Sequence, residues 1–387
     1  MQRGWIPAAS TANAKATPHC LCLTAQFNYG SDNTPSTLPE STEVAMASSE
    51  GCVYVGLAGE TAPGREGRAG LYRSRGGEAG WDVLGVGLPP APQVRAIVVD
   101  PSRPGRVWVG LQDGVYRSDD SGEQWTRLPA PAPGVAVWSI GLHPHDPEVI
   151  LAGYEPGAIY RSRNGGLRWD RLPVDVTFPD VTVHPRPTPK RITGIAIDPS
   201  DPTESYASVE VGGLLRTLDD GQTWECVTEG LYPTDDAVDL HGVAVSPAHP
   251  GTVYTIGRIG MFCSSDRGRR WQHVPLPPMT ARGTYCRGLR VAPDDPDTLY
   301  VGAGAAFDGT EGALFRSRDR GQTWTRIDLG TTARSTVFAV AIDPRRPDQL
   351  CCVSKGGQLW ASRDGGATWQ SHPLPDGATH VYALAVG

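Results

Sequence analysis

Short apolar segments that end at proline recur along the chain. Six of them share one pattern: VRAIVVDP (94–101), VWSIGLHP (137–144), ITGIAIDP (192–199), LHGVAVSP (240–247), CRGLRVAP (286–293) and VFAVAIDP (337–344). Each leads through a short turn with a second proline into another apolar segment, such as RVWVG (106–110). Proline cannot donate to a β-ladder, so it ends a strand and begins a turn. Because no stretch has the spacing of a long amphipathic helix, the pattern predicts an all-β chain of short strands.

An octapeptide that ends in tryptophan recurs seven times. The copies are SRGGEAGW (74–81), SDDSGEQW (118–125), SRNGGLRW (162–169), TLDDGQTW (217–224), SSDRGRRW (264–271), SRDRGQTW (317–324) and SRDGGATW (362–369). Their tryptophans are 44, 44, 55, 47, 53 and 45 positions apart, a period typical of propeller blades. A strand-like segment lies on each side of the octapeptide. The repeat therefore predicts a seven-bladed β-propeller with four antiparallel strands per blade.

The octapeptide S-x-D-x-G-x-x-W resembles the Asp box of sialidase-type, or BNR, repeats. Six copies have an acid or amide at the third position, and the first copy has Gly76 there; the six are Asp120, Asn164, Asp219, Asp266, Asp319 and Asp364. We expect this side chain to accept local backbone hydrogen bonds, the glycine to adopt positive φ and the tryptophan to cover the turn. The resemblance, over about residues 50–387, implies a propeller similar to WD40/YVTN/BNR-like glycosyl-hydrolase-type proteins, xyloglucanases and photosystem II stability or assembly factors.

The chain departs from true sialidases, which are six-bladed and carry an Arg-Ile-Pro motif. It has seven repeats, and GWIP (4–7) does not supply that motif. Arg95, Arg258 and Arg287 would have to imitate the sialidase arginine triad and Tyr382 the nucleophile, without a motif that anchors them. A xyloglucanase, in turn, would need a second propeller to complete its cleft. The resemblance thus implies a fold rather than an activity.

The predicted domains are an N-terminal arm or cap, residues 1–41, and the propeller, residues 42–387. The C-terminal HVYALAVG (380–387) fits a first strand with nothing after it, whereas the first repeat lacks one. We expect residues 381–386 to pair with residues 52–57 and so close the ring. The segment TEVAMAS (42–48) is the alternative first strand.

Composition narrows the range of partners. The net charge is −7 with both signs interspersed, which argues against nucleic acid, and no apolar run is long enough to span a membrane or form a secretory signal. A soluble, cytoplasmic protein is therefore expected.

The eight cysteines are interpreted as reduced, mostly buried thiols, and no cofactor or metal is predicted. The alternative is a metal held by His184, Asp239, His241 and His380.

Loops of two kinds are expected on opposite faces. The octapeptides and the turns between first and second strands form the turn face. The irregular connections form the mouth face, where any site is expected. The loop residues expected on the mouth face are Glu60, Asp113, Tyr154, Glu155, His184, Arg191, Glu210, Asp239, Arg258, Tyr285, Asp308, Glu311, Arg334, Lys355 and His380.

Each first strand has a large, variable residue followed by a small one. The large residues, expected as a ring at the mouth of the central channel, are Arg95, Trp138, Thr193, His241, Arg287, Phe338 and Tyr382. They either bind a ligand or plug the channel with arginines stacked on aromatics. Farther along one first strand, Arg290 replaces the Gly, Ala or Val of the other repeats. We expect it to need a carboxylate or carbonyl partner.

The predicted function is binding of a small anionic or carbohydrate-like ligand at the channel mouth, with a hydrolase or lyase as its catalytic form. Tyr382, His241, Glu155 and Asp239 are the candidate catalytic residues. The candidate substrate-binding residues are Arg95, Trp138, Arg258, Arg287, Phe338 and His380. The alternative is a non-catalytic scaffold that binds or assembles a protein partner.

Overall fold

The structure is a computed structural model that describes residues 51–59, 68–76, 80–177, 189–228 and 235–387. These residues form 28 β-strands and a short 3-10 helix, Asp235–Val238. In chain order the strands are β1 (Cys52–Ala58), β2 (Ala69–Arg75), β3 (Asp82–Leu84), β4 (Ala96–Val99), β5 (Val107–Leu111), β6 (Gly114–Ser118), β7 (Thr126–Arg127), β8 (Ala136–Leu142), β9 (Ile150–Glu155), β10 (Ala158–Ser162), β11 (Asp170–Arg171), β12 (Ile192–Ile197), β13 (Ser205–Val209), β14 (Gly213–Thr217), β15 (Glu225–Cys226), β16 (Leu240–Val245), β17 (Val253–Gly257), β18 (Gly260–Ser264), β19 (Gln272–Val274), β20 (Tyr285–Val291), β21 (Leu299–Gly304), β22 (Gly312–Ser317), β23 (Thr325–Arg326), β24 (Val337–Asp343), β25 (Arg346–Ser354), β26 (Leu359–Ser362), β27 (Gln370–Ser371) and β28 (Val381–Val386).

The strands form seven four-stranded antiparallel sheets, which are the blades. Six blades are consecutive in sequence, from β4–β7 to β24–β27, and the remaining blade has the order β28, β1, β2, β3. The first strands contact one another in the closed order β28, β4, β8, β12, β16, β20, β24. The predicted seven-bladed β-propeller is confirmed, and its seven first strands surround the central channel.

The C-terminal strand closes the ring. β28 pairs antiparallel with β1, from Val53 opposite Val386 to Leu57 opposite Val381. Beyond the ladder, the N–H of Cys52 donates to the carbonyl of Gly387 at 2.7 Å, and the reverse bond is 3.0 Å. This is the predicted closure. The competing segment 42–48 and the predicted boundary between residues 41 and 42 lie outside the described residues.

The octapeptide turns make the hydrogen bonds expected of them. In the fourth repeat, Asp219 Oδ1 accepts the N–H of Thr223 at 2.9 Å and Oδ2 accepts its hydroxyl at 2.6 Å. These bonds to Thr223 lower the pKa of Asp219 to about 2. The N–H of Asp220 donates to the carbonyl of Thr203, which lies in the turn between the first two strands, at 2.9 Å. The two sets of turns therefore share the turn face, away from the mouth.

An arginine of the third strand links each of several blades to the next. Arg73 Nη1 donates to the carbonyl of Ser121 at 2.7 Å, and Arg117 Nη1 donates to that of Gly165 at 3.2 Å. Each acceptor belongs to the octapeptide turn of the following blade. Equivalent bonds run from Arg161, Arg216 and Arg316. The YRS segments of the sequence thus join blades as well as forming strands.

Large apolar side chains fill the space between blades. Trp108 and Val137, from neighbouring blades, are both fully buried in one cluster. Close approach depends on a small residue in the second strand, because a Cβ at Gly110 would lie 2.8 Å from Val137 Cγ1. That contact is closer than van der Waals packing allows. The glycine of the VWVG segment is therefore required by packing between blades.

Candidate functional site

A β-bulge directs six of the seven ring residues out of the regular ladder, and the seventh, Arg95, directly precedes β4. In β8, Val137 pairs with Tyr154 and Ser139 pairs with Gly153, so Trp138 is the extra residue. The same irregularity occurs in five other first strands, where the residues skipped are Thr193, His241, Arg287, Phe338 and Tyr382. A bulge leaves one residue unpaired and re-aims its side chain. The pattern of large followed by small residues in the sequence therefore marks a bulge position that six of the seven first strands share around the channel.

The ring residues line one cavity of about 320 Å³ in the channel. All seven residues expected at this level contribute to its wall, together with the small residues that follow them. The wall contains the guanidinium groups of Arg95, Arg287 and Arg290, and no carboxylate is among its described lining residues. The cavity therefore has a cationic lining.

One side of the ring is built around Trp138. The guanidinium carbon of Arg95 lies 4.9 Å from the centre of the Trp138 ring, and that of Arg191 lies 4.2 Å from it. Arg191 forms an ion pair with Glu210 and lies 3.8 Å from Glu155 Oε2. The two glutamates are thus held by a cation, and the arginines are stacked on an aromatic face.

The other side of the ring is aromatic and cationic. The Tyr382 ring centre lies 5.3 Å from that of Phe338 and 6.4 Å from that of Phe307. Arg287 lies 4.6 Å from the centre of Phe338, and Lys355 Nζ lies 3.4 Å from the centre of Phe307. Lys355 also pairs with the carboxylate that follows Phe307 in sequence. A cation therefore packs on each phenylalanine ring.

His241 and Asp239 form a third group at the mouth. His241 Nδ1 lies 2.7 Å from the carbonyl oxygen of Cys286, so this nitrogen carries the proton, and Nε2 lies 3.5 Å from Asp239 Oδ1. Burial raises the pKa of Asp239, but His241, Arg287 and Arg258 outweigh that effect and hold it below its usual range. Asp239 is therefore ionised at neutral pH.

Burial also acts on the other ionisable ring groups. It raises the pKa of Tyr382, although Arg287, Arg191 and Arg95 partly oppose the rise. It lowers the pKa of the Arg95 guanidinium, with Tyr382 and Glu155 opposing. The Tyr382 hydroxyl makes no hydrogen bond to a described protein atom. It is therefore a neutral phenol available to donate a hydrogen bond to a ligand.

Among the other residues predicted for the mouth face, Arg258 and His380 lie near the ring, whereas Tyr154 does not. Arg258, which is 52% exposed, lies 3.9 Å from Asp239 at the rim, and His380 adopts a φ of 62° just before β28. Tyr154 is buried between blades and packs on Tyr160, away from the ring. Glu60 and His184 lie outside the described residues.

Phe307 is the mouth residue that the sequence prediction misses. It lies between β21 and β22, in a loop that is otherwise rich in small residues, GAGAAFDGTEGAL (302–314). The feature of the sequence that could have identified Phe307 is that it is the single aromatic residue in this loop. Arg191 and Glu210 are expected on the mouth face but are not among the candidate site residues. In the structure they form an ion pair, and Arg191 stacks on the Trp138 ring.

Within the described ranges, no group of three or more His, Cys, Asp or Glu residues is placed to hold a metal ion. The six cysteines in those ranges are free, and no helix there is long and apolar enough to cross a membrane.

Comparisons with known proteins agree with the fold. No family model matches the chain. A probable oligoxyloglucan-reducing end-specific xyloglucanase of Neosartorya fischeri is 28% identical over 201 residues, which are 47% of this chain and 24% of that protein. The chain thus matches about a quarter of the length of that curated relative.

Two solved structures share the architecture. The GH74 enzyme of Niastella koreensis superposes with a TM-score of 0.59 at 19% identity, covering 74% of this chain and 45% of that one. A structure of YCF48 bound to D1 peptide superposes with a TM-score of 0.53 at 20% identity, covering 82% and 86%. The chain is therefore a seven-bladed β-propeller that resembles those of GH74 xyloglucanases and Ycf48.

Proposed function

We propose that the channel mouth binds a small anionic, carbohydrate-like ligand through Arg95, Arg287 and Tyr382. The observation that carries the proposal is a cavity wall with guanidinium groups and no carboxylate among its described residues. An anion there would meet charge-assisted donors in a poorly hydrated place, where such bonds are strongest. The Tyr382 hydroxyl, which has no described protein partner, adds a neutral donor.

The position of the acids supports an anionic rather than a cationic ligand. Glu210 pairs with Arg191, and Asp239 faces His241 and Arg258. Each of these carboxylates thus has an arginine as a neighbour, and neither lines the cavity itself. The arginines that these carboxylates pair with, Arg191 and Arg258, also lie outside the cavity lining. The groups of the wall that remain to contact a ligand are therefore the guanidinium groups, the Tyr382 phenol and the aromatic rings.

A carbohydrate-like body for the ligand is supported by two features. Trp138, Phe338 and Tyr382 present aromatic surface beside the charges, and sugar rings pack on aromatic faces through their C–H groups. The curated relative named a xyloglucanase acts, by that name, on a carbohydrate. A sugar that carries a carboxylate would use both the aromatic and the cationic parts of the ring.

The catalytic form of the proposal is a lyase or a hydrolase. Elimination from a uronic-acid-like sugar needs a cation on the carboxylate, a base for the adjacent C–H proton and an acid for the leaving oxygen. Arg287 would supply the cation, His241 Nε2 the base and Tyr382 the proton. His241 is oriented for this role because its Nδ1–H donates to the Cys286 carbonyl.

Hydrolysis would use the carboxylates instead. Glu155 and Asp239, which lie outside the cavity lining, would have to reach the ligand from the rim as the acid–base pair that activates water and protonates the leaving oxygen. The low pKa of Asp239 suits the base. Oligosaccharides with and without uronic acid, xyloglucan oligosaccharides included, distinguish the two forms. A lyase gives an unsaturated, ultraviolet-absorbing product, whereas a hydrolase gives only new reducing ends.

Ligand binding is tested by thermal shift with matched sugars. Glucuronate and galacturonate should raise the Tm, and glucose and galactose, which lack the carboxylate, should not. Arg287→Lys keeps the charge but loses the bidentate geometry, and it should abolish most of the shift. Equal shifts with neutral and acidic sugars, or no shift with either, would contradict the proposed ligand.

The second candidate is a non-catalytic scaffold that binds a protein partner. Its support is the superposition with YCF48 bound to D1 peptide, which covers 82% of this chain and 86% of that one. A peptide with a free C-terminal carboxylate would meet the same arginines. If such peptides raise the Tm, their C-terminal amides do not, and uronic acids have no effect, the scaffold replaces the sugar ligand.

A further inference from the structure

Arg290 introduces a charge into a part of the channel that is otherwise lined by small apolar residues. It lies in β20 and pairs with Tyr300 in β21. The ladder registers place six residues at the equivalent position of the other blades: Val98, Gly141, Ala196, Ala244, Ala341 and Ala385. Because those side chains are small, they leave space around the one long side chain at this level.

The Arg290 guanidinium has no carboxylate partner within the described part of the chain. The hydrogen bond it makes there runs from Nη1 to the carbonyl of Leu289, at 2.7 Å. Arg290 lies inside the ring of blades, where protein surrounds it, but its side chain is accessible from the cavity that it lines. A cation with one carbonyl partner has several donors left over, since a guanidinium carries five N–H groups.

The surroundings make this charge costly without a counter-ion. The surrounding protein displaces bulk water from the guanidinium and so lowers the pKa of Arg290, although the cavity leaves the side chain accessible. The neighbouring group that opposes this is the thiol of Cys351, which is itself neutral. Water in a channel of this size solvates a cation less well than bulk water does. An anion beside the guanidinium would neutralise the charge and use its free donors.

We propose that Arg290 forms an anion-binding site inside the channel, one that takes a small anion of halide or carboxylate size. The site lies in the same cavity as the ring, but farther along the channel from the mouth. Arg290 follows Arg287 by three residues in β20, which corresponds to about 10 Å along an extended strand. The proposal does not rest on the sugar ligand, because it needs neither Tyr382 nor the aromatic residues of the ring.

Arg290→Ala is the substitution that tests the site, because other blades already have alanine at the equivalent position. Arg290→Ala places in β20 the residue that Ala196, Ala244 and Ala341 provide in other blades, so it should fold. Arg269→Ala is the matched control. It removes the same charge from an exposed position in an octapeptide on the turn face, opposite the mouth.

The first measurement locates the anion. Crystals of the wild-type protein soaked in sodium bromide should show an anomalous peak within hydrogen-bond distance of the Arg290 guanidinium. The peak should persist in Arg269→Ala and in Arg95→Lys, which keeps the charge at the mouth, and it should disappear in Arg290→Ala. A peak that is equally high in Arg290→Ala, or no peak near Arg290 in the wild type, would overturn the proposal.

The second measurement gives the affinity in solution. Chloride NMR line broadening by the wild-type protein should be reversed by acetate, which competes for the guanidinium. Arg290→Ala should weaken chloride binding at least tenfold, a change of about 1.4 kcal/mol, and Arg269→Ala should not. Unchanged broadening in Arg290→Ala would contradict the site. Loss of uronic-acid binding in Arg95→Lys with chloride binding retained would show that the mouth and the channel site are independent.

Discussion

Tyr382 meets Trp138 edge-on, with the ring centres 5.9 Å apart and the planes at 76°. Tyr382 belongs to the closing strand β28 and Trp138 to the third blade, so the contact joins residues more than 240 positions apart in sequence. The strand that closes the propeller therefore also completes the ring at the channel mouth. Closure of the fold and assembly of the candidate site depend on the same segment.

Deletion of residues 380–387 should unfold or aggregate the protein. It removes every strand pair between β1 and β28 and leaves the β1 edge unpaired. Thermal melting and light scattering of the truncated chain measure the effect. Wild-type melting and solubility in the truncated chain would show that another segment, such as 42–48, can complete the first blade.

The octapeptide acids should stabilise the turn face in a pH-dependent way. Contacts with Thr223 and Thr217 lower the pKa of Asp219 from 3.8 to about 2. A carboxyl with a lowered pKa in the folded state stabilises the protein above its unfolded pKa, and the effect is lost as pH falls through the folded value. Asp219→Ala should therefore lower the Tm at pH 7 and differ progressively less from wild type between about pH 4 and 2.

Asp219→Asn is the matched control, because the third blade has Asn164 at this position and Asn164 Oδ1 accepts the N–H of Arg168 at 2.8 Å. It should keep most of the stability and lose the pH dependence. Binding at the mouth should be unaffected by either change. A loss of uronic-acid binding in Asp219→Ala at unchanged Tm would contradict the assignment of this acid to the turn face.

The arginine link between blades should matter far more than the exposed arginine beside it. Arg73 and Arg75 both pair with Asp82 and Glu123, but Arg73 is 2% exposed and Arg75 is 47% exposed. Arg73→Met also removes the bond to the Ser121 carbonyl and should cost roughly 1 to 3 kcal/mol of unfolding free energy. Arg75→Met should cost about 1 kcal/mol or less. Equal losses in denaturant melts would show that Arg73 acts only as a surface ion pair.

The sequence predicts the fold and the ring but not the contacts that organise the site. Proline-terminated strands and the octapeptide fix the blades because they are local signals repeated seven times. The ring residues could be found because each occupies the same position of the repeated first-strand segment, which is a β-bulge in six of the seven blades. Phe307 and Arg191 could not be ranked, since their importance comes from side-chain contacts. Phe307 contacts Arg287 of its own blade and Phe338 of the next blade, and Arg191 contacts Trp138 of the preceding blade. Such contacts depend on loop conformation, which no repeated pattern encodes.

The sequence does not predict the arginine link between blades either. Arg73 and Arg117 are visible as part of the repeated YRS segment, yet a strand residue gives no sign of a partner about 48 residues away. Only the angle between adjacent blades brings each guanidinium to the next octapeptide turn. The sequence therefore shows that the position is shared, and the structure shows why.

Ligand binding by the ring is tested most directly by calorimetric titration of glucuronate into four proteins: wild type, Arg95→Lys, Arg287→Lys and Tyr382→Phe. If the ring binds the carboxylate, each lysine variant should bind about tenfold or more weakly while its Tm stays near the wild-type value. Tyr382→Phe should also bind more weakly, because it loses a hydroxyl that has no described protein partner. If all three variants bind as wild type does and only their melting changes, the ring is channel packing and the account of the site is contradicted.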